Sequence, residues 1–354
     1  MSHIRLHPSG RRVECRDGET VLSALERAGY ALPNNCRAGA CGECKVRVHS
    51  GTFGQGVVLD MALSPEERKQ GYGLMCMAKP ISDELVIEWG TTDAQPKLFP
   101  PREEMPFVVI NRIVRTPRII ELALRPLGAP MRYWPGQYVM LGRPEQSAPM
   151  RSYSVANAPR PDGEITLQVS RTNDGLTSRW IHESLMPGSI VKISGPYGTF
   201  IGDASVETPV LCMAAGSGLA PILALGDAAL RRGYHQPVTF LFSARTRADI
   251  YDQGLLAYWQ ARYRNFRFIS TLTRERVDEP EILHGRIPEL LPTLFSDLSE
   301  YSVFAAGGPQ FVEACVAAAR RLGARPVLIH TERYVRVQQA ETPPQDRLVA
   351  MSGS

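Results

Sequence analysis

Three cysteines crowd into nine residues of "NNCRAGACGECKVRV", where Cys36, Cys41 and Cys44 are spaced C-x4-C-x2-C, and Cys76 follows after thirty-one intervening residues. That spacing suits a [2Fe-2S] cluster, in which one loop wraps three thiolates around the irons and a distant loop closes with the fourth. Gly39 and Gly42 lie between the ligands, where small residues let backbone N–H groups approach the sulfides. A structural zinc or a set of buried free thiols is the alternative, but zinc usually takes paired C-x2-C arms and gives no reason for the x4 gap. Cys15, Cys212 and Cys315 sit in strand or helix patterns and read as buried apolar residues.

A one-electron cluster needs an electron source, and further residues have suitable types and spacing. In "RSYSVAN", Arg151 can pair with a pyrophosphate, Tyr153 can pack on a flavin, and Ser152 and Ser154 place hydroxyls along the same strand, where one can be directed toward a redox-active edge. Taken alone the motif is equally an edge strand. In "SRTNDGLTSRWIHESL", Gly175 and Ser178 fall where a loop enters a predicted helix, a place for a phosphate or for an ordinary N-cap. "GPYGTF" is a tight turn. "AAGSGLAPI" then brings Gly216, Ser217 and Gly218 to a strand–helix turn where a dinucleotide could approach the backbone, and Pro221 suits the first helical turn.

The elements that must carry these residues are legible from composition and texture. A chain of 354 residues with 44% hydrophobic content can bury two or three cores. Its net charge of +4, from 40 basic and 36 acidic residues, includes no dense basic block, which argues against nucleic acid as a partner. No apolar run suits a signal peptide or a membrane span, and the protein is expected to be soluble and cytoplasmic, with no membrane partner and acting as a monomer. "TTDAQPKLFPPREEMP" reads as an exposed linker. After it, "FVVINRIV", "QYVML", "YSVA" and "EITLQVS" alternate with Pro/Gly turns as in an antiparallel barrel. From Thr208 three segments each run from an apolar strand through a polar or Gly-rich turn into an amphipathic helix, implying a parallel nucleotide-type sheet. The seven histidines are scattered, and His182 and His284 read as surface or packing residues.

The expected division is therefore residues 1–93 around the cysteines, a linker over 94–106, a barrel over 107–203, a nucleotide domain over 204–334 and a disordered tail over 335–354. With all four cysteines in place, residues 1–90 resemble a plant-type ferredoxin, an α+β domain of β-grasp type, and "ETVLSALERAG" supplies its helix. Eleven basic and eleven acidic residues in this stretch depart from the acidic balance usual in free ferredoxins, and a tether to the electron donor removes the need for long-range steering.

From Arg151 to Pro309, the order R-x-Y-S, G-x-x-S, GPYG, G-x-G-x-x-P and a late GGP turn is similar to the ferredoxin-NADP reductase superfamily. Residues 1–334 as a whole resemble the NADH-dependent reductase components of bacterial multicomponent mono- and dioxygenases. The resemblance implies that Arg151 and Ser178 bind the FAD pyrophosphate, that Tyr153 packs on the flavin, and that Ser154 hydrogen-bonds the nitrogen receiving hydride. It also implies that Gly216, Ser217 and Gly218, with Gly307, Gly308 and Pro309 of "AAGGPQF", bind NADH. Ala306 replaces the family's cysteine there, and Tyr334 stands where relatives place an aromatic that shields the flavin. The implied acceptor is a terminal oxygenase. A sugar-nucleotide dehydrase of a deoxysugar pathway and a redox-sensing role are the rival readings. Cofactor choice falls on "FSARTRADIYD", where Arg245 and Arg247 could take a 2′-phosphate and Asp249 could repel one or cap the following helix; the resemblance tips this to NADH.

Overall fold

The computed structural model describes residues 1–335 apart from positions 93, 144, 146, 203–205 and 280. The tail expected to be disordered falls, from residue 336 on, outside the described residues. Three sheets in succession each enclose their own core, as the three changes of texture along the chain require.

The first is a mixed sheet. Strands β1 (Ser2–His7), β2 (Arg12–Cys15), β3 (Lys45–Ser50), β5 (Tyr72–Leu74) and β7 (Glu84–Glu88) lie in the order β2-β1-β7-β3-β5, with β1 parallel to β7, and the short pair β4 (Phe53–Gly54) and β6 (Lys79–Pro80) stands apart. Helix α1 (Val21–Arg27) packs Val21, Leu22, Ala24 and Leu25 into this core and starts at Thr20, whose hydroxyl accepts from the N–H of Ser23. Helix α2 (Pro65–Lys69) opens on a capping box between Ser64 and Glu67. Between α1 and β3 the cysteine loop has no regular structure, which leaves its N–H groups free to face sulfur.

The second is an antiparallel barrel-like sheet of β8 (Arg102–Thr116), β9 (Ile119–Pro126), β10 (Tyr138–Arg143), β11 (Ala148–Ser154), β12 (Ile165–Ser170) and β13 (Ile190–Tyr197), ordered β11-β10-β13-β8-β9-β12. Alternation along β9 buries Ile120, Leu122 and Leu124 in the interior, and α3 (Leu176–Ser184) closes one side with Ile181. The linker boundary expected at 106 lies inside β8, which already begins at Arg102. Nor does the stretch before it run free. The N–H groups of Lys97 and Leu98 donate to the carbonyl of Gly29 at 2.8 and 2.9 Å, Trp134 Nε1 donates to the carbonyl of Lys97 at 2.9 Å, and Phe99 stacks on Trp134 at 5.5 Å.

The third sheet is wholly parallel: β14 (Val210–Ala215), β15 (Val238–Ala244), β16 (Phe266–Leu272), β17 (Ile282–His284), β18 (Ser302–Gly307) and β19 (Ile329–Arg333), in the order β17-β16-β15-β14-β18-β19. Helices α4 (Leu219–Arg231), α5 (Gln253–Arg262), α6 (Ile287–Leu294) and α7 (Pro309–Arg321) cover it, giving two apolar layers, one on each face. The order reverses at β14, so the ends of β14 and β18 flank the switch point where such sheets bind ligands.

Candidate functional site

The cysteine loop folds its thiols into two facing pairs, Cys36 with Cys41 and Cys44 with Cys76. The Cys41 thiol and then the N–H groups of Ala38, Ala40 and Cys41 lower Cys36, while Cys44 and then the N–H of Gly39 lower Cys76. Ala38 and Ala40 donate to Cys36 Sγ at 3.4 Å, and the N–H of Cys76 donates to Cys44 Sγ at 3.4 Å. Gly39 is obligatory here: its φ is +67°, and a Cβ would meet the carbonyl oxygen of Val57 at 2.8 Å. Two pairs of thiols, each with one thiol held low, fit a two-iron cluster taking two thiolates per iron. No three His, Cys, Asp or Glu side chains among the described residues converge as a single ion would need. The other cysteines contrast with these. Burial pushes Cys15 up to about 11 and Cys315 up to about 12, and Cys212 is likewise raised.

A cavity of about 1100 Å³ opens beside this loop, and it gathers residues from all three sheets. Arg151, Ser152, Tyr153 and Ser154 of β11 line it, with Gly175 and Ser178 at the start of α3, Ser217, Glu332 and Tyr334 from the parallel-sheet domain, and Cys36, Arg37 and Ala38 from the cysteine loop. Among the described residues the Arg151 guanidinium makes one hydrogen bond, to the carbonyl of Met150 at 2.9 Å, and is free to meet an anion. The N-cap of α3 is Gly175 without a side-chain cap, so the first N–H groups of the helix stay open. Ser178 does not cap the helix; its hydroxyl donates to the carbonyl of Gly175 at 3.0 Å and accepts from the N–H of Thr172 at 3.2 Å, shaping the loop. The cavity's size, its open helix terminus and its uncompensated guanidinium fit FAD.

Ser154 and Tyr334 meet: their hydroxyl oxygens are 3.1 Å apart, and Tyr334 also donates to the carbonyl of Ser217 at 3.3 Å. Sequence reading missed the third member. Glu332, two residues before Tyr334 and therefore on the same side of an extended strand, accepts from Ser154 Oγ at 3.0 Å and is 6% exposed. Burial pushes its carboxyl up to about 8, against the pull of Ser154 and Tyr334. The signal was the alternation in "HTERY", but its meaning depends on a partner 178 positions away.

The nucleotide-turn residues gather elsewhere, at the ends of β14 and β18. Gly216–Gly218 form a single 3₁₀ turn leading into α4, and Gly308 and Pro309 open α7 with Gly308 at its N-cap. Of this group Ser217 alone reaches the cavity lining. Ala306 is fully buried in β18 between Ala214 and Glu332 of the neighbouring strands. Asp249 does not cap the following helix. Its carboxylate accepts from the N–H and the hydroxyl of Thr246 at 3.1 and 2.9 Å, closing the turn Arg247–Asp249, while Asp252 takes the N-cap of α5. His182 packs with Nε2 2.9 Å from the carbonyl of Val169, and exposed His284 lies against the carbonyls of Glu275 and Val277.

Known proteins share this arrangement. Residues 4–80 match the family described as "2Fe-2S iron-sulfur cluster binding domain", residues 104–201 "Oxidoreductase FAD-binding domain" and residues 212–317 "Oxidoreductase NAD-binding domain". The reductase subunit of an Amycolatopsis aromatic O-demethylase is 34% identical over 334 residues, covering 92% of this chain and 96% of the relative. The reductase component of a Pseudomonas phenol 2-monooxygenase is 35% identical over 280 residues, 79% and 78% of the two chains. The crystal structure of the Amycolatopsis cytochrome P450 reductase GcoB superposes with a TM-score of 0.84 at 31% identity, covering 94% of this chain and 98% of that one. The chain belongs to the family of iron–sulfur flavoprotein reductase components of multicomponent oxygenase systems. It is an NADH-dependent oxidoreductase with a [2Fe-2S] cluster and FAD. Among the described residues no helix is long and apolar enough to cross a membrane.

Proposed function

We propose that this chain carries electrons from NADH to a terminal oxygenase, working as a monomer in the cytoplasm, with its cluster module ending near residue 93 and its nucleotide module near residue 334. One observation carries the reading: a single cavity is lined both by the Arg151–Ser154 strand with Ser178 and by Cys36 of the cysteine loop. All the groups for a two-centre relay thus lie within one chain. Arg151 and the open first-turn N–H groups of α3, that of Ser178 among them, would hold the pyrophosphate, Ser152 and Tyr153 would line the flavin's bed, and Ser154 would present its hydroxyl at the redox-active edge. Gly216, Ser217, Gly218, Gly307, Gly308 and Pro309 would receive the nicotinamide nucleotide, and Tyr334 would shield the flavin edge. When bound, FAD supplies the conversion of a two-electron hydride input into single-electron output, and the four thiolates hold the one-electron exit. Burial keeps the Glu332 carboxyl protonated through neutral pH, while its Oε2 accepts from Ser154 Oγ. Mixing the protein with NADH and the purified oxygenase component of an aromatic-ring oxygenase from the same organism tests the acceptor. Product should form only with both proteins; an oxygenase that stays idle while ferricyanide and cytochrome c are reduced would rule that acceptor out.

The loop after β15 bears on nucleotide choice. Arg247 Nε already donates to Glu279 at 2.9 Å, its Nη1 to Gln253 at 3.1 Å, and its backbone N–H to Glu275 at 2.6 Å. A 2′-phosphate would have to displace one carboxylate and lie near another. NADH should therefore exceed NADPH in kcat/KM by at least about tenfold, since like charges brought together cost several kcal/mol, and Glu279→Gln should narrow the gap. Equal use of both nucleotides by the wild-type protein would show that this loop does not discriminate.

Glu332 also sets a pH dependence of stability. Its folded-state value of about 8 lies above the ordinary carboxyl value of 4.5, so the folded protein binds more protons than the unfolded chain between those limits. Stability is therefore lost as pH rises through that window and levels off above about 8. Melting curves at pH 5.5 and 8.5 should show Glu332→Gln gaining a few degrees on wild type at the higher pH. Parallel behaviour of the two proteins would place the ionisation elsewhere.

A further inference from the structure

The GPYG turn at the end of β13 has no part in the roles above, yet its Tyr197 is buried against the cysteine loop. The guanidinium of Arg37 lies over the Tyr197 ring, 4.2 Å from its centroid. Arg37 follows Cys36 directly in the chain and lines the flavin cavity beside it. Its Nη1 donates to both oxygens of Glu26, at 2.6 and 2.7 Å, and Glu26 is 3% exposed on α1. The backbone of Arg37 sits at φ +52°, the left-handed region that a residue with a side chain seldom occupies unless its surroundings impose it. On the other side of Cys36, Asn34 Oδ1 accepts from the hydroxyl of Tyr138 at 2.7 Å, and the Tyr138 ring lies 5.8 Å from that of Tyr197. The loop thus grips one two-tyrosine patch of the barrel from positions 34 and 37.

A guanidinium so placed is chemically particular. Its plane can stack on a ring while its edge donates to a carboxylate, which an ammonium cannot do. Burying an ion pair gives little net stability, so the arrangement is better explained by the single geometry it enforces. We propose that Arg37, clamped between Glu26 and the Tyr197 ring, is the positioning residue that docks the cluster loop on the flavin barrel and sets the approach of the two redox centres. The proposal rests on the flavin-to-cluster route given above: one electron leaves the flavin site and enters the oxidised cluster, with no bond made or broken.

Tyr197→Leu removes the ring face without altering a cluster ligand or a residue assigned to flavin, and Tyr197→Phe keeps the face. In the NADH-reduced holoprotein followed by anaerobic stopped flow, Tyr197→Leu should reduce its cluster on the order of tenfold more slowly, as misplacement of about an ångström does elsewhere, while Tyr197→Phe follows wild type and both keep their ferricyanide rate. Arg37→Gln should slow the same step, and the double variant should be no slower than either single one, as two ends of one contact require. Apart from turnover, hydrogen exchange across residues 34–44 should quicken in Tyr197→Leu and Arg37→Gln but not in Tyr197→Phe. Wild-type cluster reduction and exchange in Tyr197→Leu of full iron content, or additive slowing in the double variant, would overturn the docking role. A wild-type protein whose cluster NADH fails to reduce would overturn the electron route itself, and the docking role with it.

Discussion

Cys41→Ser should yield a yellow protein in place of a red-brown one. The hydroxyl is a hard, weakly acidic donor where the irons need a soft thiolate. Cluster content should collapse, and cytochrome c reduction should fall at least about tenfold, the lower end of what losing even an outer partner of a metal ligand does. FAD should remain, because Arg151, Tyr153, Ser154 and Ser178 belong to β11 and α3 of another sheet. Ferricyanide, which can accept directly from flavin, should still be reduced by NADH. Iron analysis beside the two acceptor assays decides the matter: undiminished cytochrome c reduction in iron-free protein would remove the four cysteines from the electron route. Loss of flavin along with iron would show that the cavity, which Cys36, Arg37 and Ala38 line, cannot form without an assembled loop.

Gly218→Ala should disable the other end of the relay. A Cβ at this position would run into the carbonyl oxygen of Ala306 and the backbone beyond it, a strand of the central sheet with no flexible side chain to yield. The turn Gly216–Gly218 must then move away from β18, opening the place where the nucleotide meets backbone. Because reacting atoms must be held within a fraction of an ångström, flavin reduction by NADH should slow about a hundredfold, with reduction by dithionite, flavin content and cluster content retained. Normal NADH kinetics in the folded variant would mean that this turn does not position the nucleotide.

What could be read in advance follows from the range of the interactions. The four cysteines declare a cluster through spacing alone, and the βα units and barrel strands through local periodicity, because each of these patterns is completed within a few tens of residues. Glu332 could not be found this way: an acid in a short strand is unremarked until folding brings Ser154 against it and removes water from both. Arg37 and Tyr197 are likewise separate ordinary residues until α1 supplies Glu26 beneath them. The fastening of the linker escaped for the same reason, since prolines and charges signal exposure but not the carbonyl of Gly29 or the indole of Trp134 that hold it. Sequence leaves open whether Asp249 caps the following helix, because capping depends on where a helix starts, and α5 starts four residues later.

The last described strand has a consequence for inheritance. Glu332 and Tyr334 turn toward Ser154, whereas Arg333 between them pairs with Glu43 and its carbonyl receives the side-chain amide of Asn35, residues next to the ligands Cys44 and Cys36. This strand and the cysteine loop therefore cannot drift apart independently: a substitution in either is judged against the other. Chimeras that graft a foreign ferredoxin onto this reductase must match positions 35 and 43 to Arg333, however well the joint at the linker is made.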